Sequence, residues 1–179
     1  VMIVETANFL GGMATRSLVG PFMTCFDAAG EQMIIKGIFE EIVDRMVAKG
    51  GAIHPKDVRA TTPYSAWITA GHDHCTPFEP ECMKLVLDEM VEEAGIKVLF
   101  HTDFIEPILK GGRITGAVIS NKAGLQMVDA KVVIDCTGDG DVAYRSGVPC
   151  HFGNENGKPQ PSTAFFHINN VDSKRLEAD

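Results

Sequence analysis

Long apolar runs are missing from this 179-residue sequence: no stretch approaches the roughly 20 residues a transmembrane helix needs, so no membrane span is expected. Basic residues are scarce as well. Lys and Arg number 16 against 24 Asp and Glu, a formal net charge of -8, and a nucleic-acid-binding face requires the opposite balance. Cysteine is present but in no scaffold pattern. Cys25, Cys75, Cys82, Cys136 and Cys150 are odd in number and contain no C-x-x-C pair, which speaks against a disulfide framework and for a reducing, cytoplasmic setting. Internal repeats and low-complexity segments are also lacking. What remains, 45% hydrophobic and 22% charged residues, is the profile of an ordinary globular chain of about one domain.

The apolar residues that are there fall into two kinds of pattern. Ile35, Ile38, Phe39, Ile42, Val43, Met46 and Val47 recur at three- and four-residue steps ahead of Gly50-Gly51, which predicts an amphipathic helix with a glycine stop. The stretch PECMKLVLDEMVEEAG predicts a second helix, with Pro80 in its first turn and Gly95 ending it. Between them, HPKDVRATTPYSAWITAGHDHCTPFE has weak periodicity and reads as an irregular excursion with short strands. From IKVLFHTDFIEPIL onward the period becomes two. KGGR and NKAG are hairpin turns, and the expected result is an antiparallel meander delivered into the apolar run Val132-Val133-Ile134. VAYRSG predicts a short helical turn, and STAFFHINNV a further strand.

Two junctions carry chemistry. Val1 to Val4 form an apolar strand ending in Glu5, and Val132 to Ile134 form another ending in Cys136-Thr137-Gly138-Asp139-Gly140-Asp141. In a doubly wound sheet, ligands sit beyond the carboxyl ends of strands, where a carboxylate holds the ribose hydroxyls of a dinucleotide. Small turn residues there let backbone approach a cofactor closely. Each junction alone also has a bland reading: Glu5 as a solvated strand boundary, and the Gly-Asp turn as a loop. A calcium loop does not fit Asp139-Gly140-Asp141, because the other spaced ligands and the terminal Glu of that pattern are absent.

Together VMIVETANFLGGMAT, GEQMIIKGIFEEIVDRM, FEPECMKLVLDEMVEEAGIKVLFHTDFIEPILKGGRITGAVI and VVIDCTGDGDVAYRSGVP resemble FAD-dependent oxidoreductases related to the flavoprotein subunits of fumarate reductase and succinate dehydrogenase. The resemblance runs over essentially the whole chain. It implies an α/β fold: an incomplete glutathione-reductase-type, Rossmann-like FAD-binding domain with an antiparallel β-meander, over residues 1–19 and 79–179. Residues 20–78 would be an inserted capping or substrate region. It further implies that Glu5 holds the adenosine ribose with Thr6 beside the adenine. Gly12, Met13, Ala14 and Thr15 would line the flavin side of the pyrophosphate, backbone at Phe104 would meet the adenine, and Thr137, Gly138 and Asp139 would close the site beside the phosphates. Phe104 reads equally well as ordinary strand packing. Members of the family carry a strand, a G-x-G-x-x-G turn and a helix ahead of the strand matched by Val1 to Glu5, and none stands in this sequence. The chain is accordingly expected to be an internal slice of a larger flavoprotein, inactive and without FAD by itself.

The flavin would carry the redox step on a small organic substrate, and the protein would supply protons and orientation. His72, Asp73 and His74 are candidates for proton transfer, with Arg16 as an anion holder; solvated loop histidines and a surface arginine are the plain alternatives. Two other readings stand beside the enzyme. His72, His74, Cys75 and Cys82 offer imidazole and thiolate ligands for zinc, although the spacing is not a usual one. A non-catalytic interaction or complementation module would associate, as a homo-oligomer or with a partner chain, through exposed sheet edges.

Overall fold

A computed structural model of the protein describes residues 1–23, 25–27, 29, 31–58 and 74–172. Among these the elements run in the order β1 (Met2–Val4), α1 (Met13–Arg16), α2 (Ile38–Ala48), α3 (Pro80–Glu93), β2 (Lys97–Leu99), β3 (Asp103–Lys110), β4 (Arg113–Asn121), β5 (Gly124–Asp129) and α4 (Asp141–Arg145), with a 3-10 turn at Pro55–Asp57. The chain divides into two units: Val1–Asn8 with Ile96–Ala164, and Phe9–Gly95 with Phe165–Asp179.

In the first unit, β1 pairs in parallel with β2, Ile3 opposite Val98, and β3, β4 and β5 form an antiparallel sheet in sequence order. Gly111 and Gly112, at φ 57° and 77°, make the two-residue turn between Lys110 and Arg113. Positive φ at both turn positions matches the twist of paired strands, which is why KGGR works as a hairpin signal. At the next turn Asn121 Oδ1 accepts from the Ala123 N–H at 2.9 Å, an Asx turn that closes NKAG.

Three strand expectations change. The Lys97–Leu99 segment leaves the meander and pairs with β1, because the chain breaks at Phe100 to Thr102: His101 adopts φ 48°, and the buried Thr102 donates its hydroxyl to the Phe100 carbonyl at 2.8 Å. Among the described residues Val132 to Ile134 form no ladder, and STAFFHINNV forms none either. Val132 and Ile134 stand 77% and 79% exposed; β-branched side chains favour extended backbone, but a strand also needs a neighbour for its N–H and C=O groups.

The second unit is built on α2 and α3. Val43, Met46, Met83 and Val86 meet Ala14 of α1 in its core, flanked by Phe22, Phe39, Phe78 and Leu87. Each large apolar side chain removed from water there contributes about 1.5–3 kcal/mol. The Phe22 ring stacks on Phe78 with centroids 4.4 Å apart and meets Phe39 edge-on. Pro80 occupies the first turn of α3, where its missing N–H leaves no bond unmade. Gly50, at φ 75°, closes α2, and the Gly51 N–H bonds back to the Met46 carbonyl at 2.8 Å. The predicted stripe of α2 is wider than the face that is buried: Ile35, Ile38 and Val47 remain exposed.

Candidate functional site

At the end of β1 the ladder runs one step further, the Glu5 N–H donating to the Leu99 carbonyl at 2.9 Å, and then the chain turns. The Glu5 carbonyl accepts from Thr102 N–H at 3.0 Å, and the Ala7 carbonyl accepts from His101 N–H at 3.1 Å. The Glu5 carboxylate is held by its own backbone: Oε1 accepts from the Ala7 N–H at 2.7 Å. Oε2 has no protein hydrogen bond among the described residues. Glu5 is half-buried and Thr6 exposed. Thr102, locked by the Phe100 carbonyl and by Asn121 Nδ2 at 3.3 Å, braces the turn from beneath.

The second junction lies in the same unit. Thr137, Gly138 and Asp139 are exposed, Gly138 sits at φ 88°, and a Cβ placed there would meet nothing within 4 Å. This turn is organised by a residue that sequence reasoning passed over. Asp135 Oδ1 accepts from the Thr137 N–H at 3.0 Å and the Thr137 hydroxyl at 2.7 Å, while Oδ2 accepts from the Ala143 N–H at 2.9 Å in α4. The Thr137 hydroxyl in turn accepts from the Asp141 N–H at 2.9 Å. Burial on its own would raise the Asp135 pKa, and these bonds outweigh it, holding the carboxyl below its ordinary value. The available signal was the Asp-x-Thr spacing of an Asx turn directly ahead of a helix.

Phe104 is half-buried and pairs with Ile119 in the β3–β4 ladder, next to a register shift. The remaining predicted cofactor residues belong to the second unit. Gly11 and Gly12, at φ 109° and 52°, turn the chain into α1, where the Arg16 N–H bonds the Gly12 carbonyl at 2.7 Å. Gly12 and Met13 are exposed. Ala14 and Thr15 are buried, Ala14 in the core cluster and Thr15 with its hydroxyl on the Leu10 carbonyl at 2.7 Å, so their side chains face inward.

Of the proton-transfer candidates, His72 and Asp73 lie outside the described residues. His74 stacks on Phe26 with ring centroids 4.4 Å apart, and its Nδ1 lies 3.3 Å from the Pro55 carbonyl oxygen. Arg16 is exposed at the end of α1. Among the described residues no group of three His, Cys, Asp or Glu side chains converges to hold a metal: Cys75 is fully buried beside Val58, and Cys82 points its Sγ toward the Met46 carbonyl at 4.0 Å. A cavity of about 170 Å³ in the second unit, lined by Leu18, Pro21, Phe78 and neighbouring prolines, includes none of the predicted residues. No described helix is long and apolar enough to cross a membrane.

The sequence profile of the family described as FAD dependent oxidoreductase matches residues 1–179. The chain belongs to that family. A comparison with curated proteins finds no match. As an FAD-dependent oxidoreductase the protein has FAD as its cofactor and a flavin-linked redox function. The described residues fit that group. A strand-end carboxylate with one oxygen fixed by backbone and the other presented suits a vicinal diol, which needs charged acceptors in fixed positions. Open space above Gly138 leaves room for a ligand against bare backbone.

Proposed function

We propose that the protein transfers hydride or electrons between FAD and a small organic substrate. Its frame in this reading is glutathione-reductase-like and Rossmann-like, of the kind shared by the flavoprotein subunits of fumarate reductase and succinate dehydrogenase. The observation that carries the proposal is the Glu5 carboxylate, bent back onto the Ala7 N–H at 2.7 Å with its second oxygen presented. Glu5 accepts from the ribose hydroxyls and Thr6 lies beside the adenine. Backbone at Phe104 meets the adenine, and Gly138 and Asp139 approach the phosphates through backbone N–H groups beside Thr137, whose own N–H is taken by Asp135. Gly12, Met13, Ala14 and Thr15 line the flavin side of the pyrophosphate, with Gly12 and Met13 offering exposed surface and Ala14 and Thr15 only main chain. Residues 20–78 cap the substrate.

When bound, FAD supplies the two-electron chemistry. The chain's own part is to orient the substrate and move a proton. His74 Nδ1 lies 3.3 Å from the Pro55 carbonyl oxygen, and proton exchange with substrate is assigned to His74 or to His72. Arg16 holds an anionic substrate group. In this reading the protein works in the cytoplasm.

The test is spectroscopic. In the natural protein that carries this chain, the purified holoprotein shows flavin bands at one FAD per polypeptide, and these bleach when a small organic reductant is added without oxygen. His72→Gln and His74→Gln each keep the flavin, and one of them slows its reduction or reoxidation at neutral pH. Absence of stoichiometric flavin overturns the proposal, and unaltered half-reactions in both variants remove the histidines from it.

A further inference from the structure

We infer that Asp135 is the positioning residue of the 137–139 turn: its carboxylate takes up the Thr137 hydroxyl and N–H and fixes the turn so that Gly138 and Asp139 present main chain to FAD. The inference rests on the reading that this turn faces the cofactor.

The geometry separates the two faces of the turn. On the inner face the Asp135 carboxylate and the Thr137 hydroxyl and N–H are bonded to one another and to α4. The Thr137 hydroxyl donates to Asp135 Oδ1 at 2.7 Å and accepts from Asp141 N–H at 2.9 Å, which uses its single donor and one lone pair. Asp135 Oδ1 also takes the Thr137 N–H at 3.0 Å, and Oδ2 reaches Ala143 N–H at 2.9 Å. The turn is thus tied to α4 at two points, Ala143 through the carboxylate and Asp141 through the Thr137 hydroxyl. The outer face is Gly138, at φ 88° with nothing within 4 Å of a Cβ position, followed by Gly140 in the left-handed region at φ 73° and ψ 33°. Two glycines in a segment of four residues would leave the backbone free to take many shapes. The Asp135 bonds select one of them before any ligand arrives, and preorganisation of that kind appears as affinity.

Thr137 and Asp135 therefore act as one unit, a relation that simple helix capping by Asp135 does not require. FAD dissociation constants of the holoprotein and its variants test it, with far-ultraviolet circular dichroism confirming that each variant is folded. Asp135→Ala is expected to weaken FAD by about 10- to 100-fold, the loss typical of one or two charge-assisted bonds. Asp135→Asn keeps an oxygen at the Oδ1 position and should lose less than about 10-fold. Thr137→Val should approach the Asp135→Ala value, and Thr137→Ser, which restores the hydroxyl, should stay within about 3-fold of the parent. The double variant Asp135→Asn/Thr137→Val should be no worse than Thr137→Val alone, because residues in one network are not additive.

Two results overturn the inference and can be told apart. If Gly138→Val loses FAD while Asp135→Ala binds it like the parent, the turn faces the cofactor and Asp135 does not position it. If Gly138→Val and Asp135→Ala both bind like the parent, the turn does not face FAD and the underlying reading fails with the inference. Should Asp135→Ala not fold, the Asp135→Asn and Thr137→Val pair decides, and full additivity between them overturns the unit.

Discussion

In the α2–α3 pair Val43, Met46 and Val86 are completely buried, whereas Val132 and Ile134, in a run just as apolar, are 77% and 79% exposed. The helices satisfy their own backbone and need from each other only an apolar face, so the three- and four-residue period of the sequence is enough to bring them together. A strand leaves half of its polar backbone to a neighbour. The meander finds that neighbour locally, through turns of two residues. Val132 to Ile134 has no such neighbour among the described residues, and the chain is held instead just beyond it, where Asp135 accepts from the Ala143 N–H in α4.

The comparison predicts very unequal costs for deleting side chains of similar size. Met46→Ala, at a fully buried position, should lower unfolding free energy by about 2–5 kcal/mol, and Ile134→Ala should stay within about 0.5 kcal/mol. Urea unfolding of both variants checks this, and equal losses would show that the Val132 to Ile134 run is covered in the native protein. Next in size is Gly116→Ala. Its Cβ would press on the Val128 carbonyl oxygen across the β4–β5 ladder, and forcing a methyl into such a contact should remove about 1–3 kcal/mol. Amide exchange should then accelerate in β5 while α2 and α3 stay protected.

The smallest effect belongs to the outer rim of the helix pair. Arg45 bonds Glu93 of α3 at 2.7 Å and Glu41 of its own helix at 2.7 Å, but all three are exposed enough for solvent to screen them. Hydrogen bonds from Arg45 hold the Glu93 carboxyl below its ordinary value. Because the folded-state pKa is depressed, the stabilisation is complete above the ordinary carboxylate range and disappears as pH falls through the lowered value. Arg45→Ala should therefore reduce Tm slightly at neutral pH and low salt, and not at all in acid or in 1 M salt. An undiminished difference in salt would mean that Arg45 acts through packing of its aliphatic stem.

What the sequence revealed follows the same division. Both long helices, with their Pro80 start and their Gly50 and Gly95 stops, and the KGGR and NKAG hairpins were legible, because caps and turns are written in neighbouring residues. The pairing of Lys97–Leu99 with β1 was not, since the two segments lie more than 90 positions apart and the period-two pattern is the same for either partner. At the site, Glu5 and the Thr137-Gly138 turn stood out as strand ends followed by small residues. Asp135 did not. An aspartate after an apolar run looks like a boundary residue, and its role lies in bonds to Thr137 and Ala143 that exist only once α4 has formed.

Calorimetric titration of FAD into the natural apoprotein and its Glu5→Gln variant tests most directly the proposal that the β1 end holds the ribose of the cofactor. Glutamine keeps the size and the bend of the side chain but removes the charge that strengthens bonds to the ribose hydroxyls. The dissociation constant should rise by about 10- to 100-fold, as for a lost charge-assisted contact, with the unfolding midpoint of the apoprotein unchanged. An identical dissociation constant in both proteins would contradict the claim.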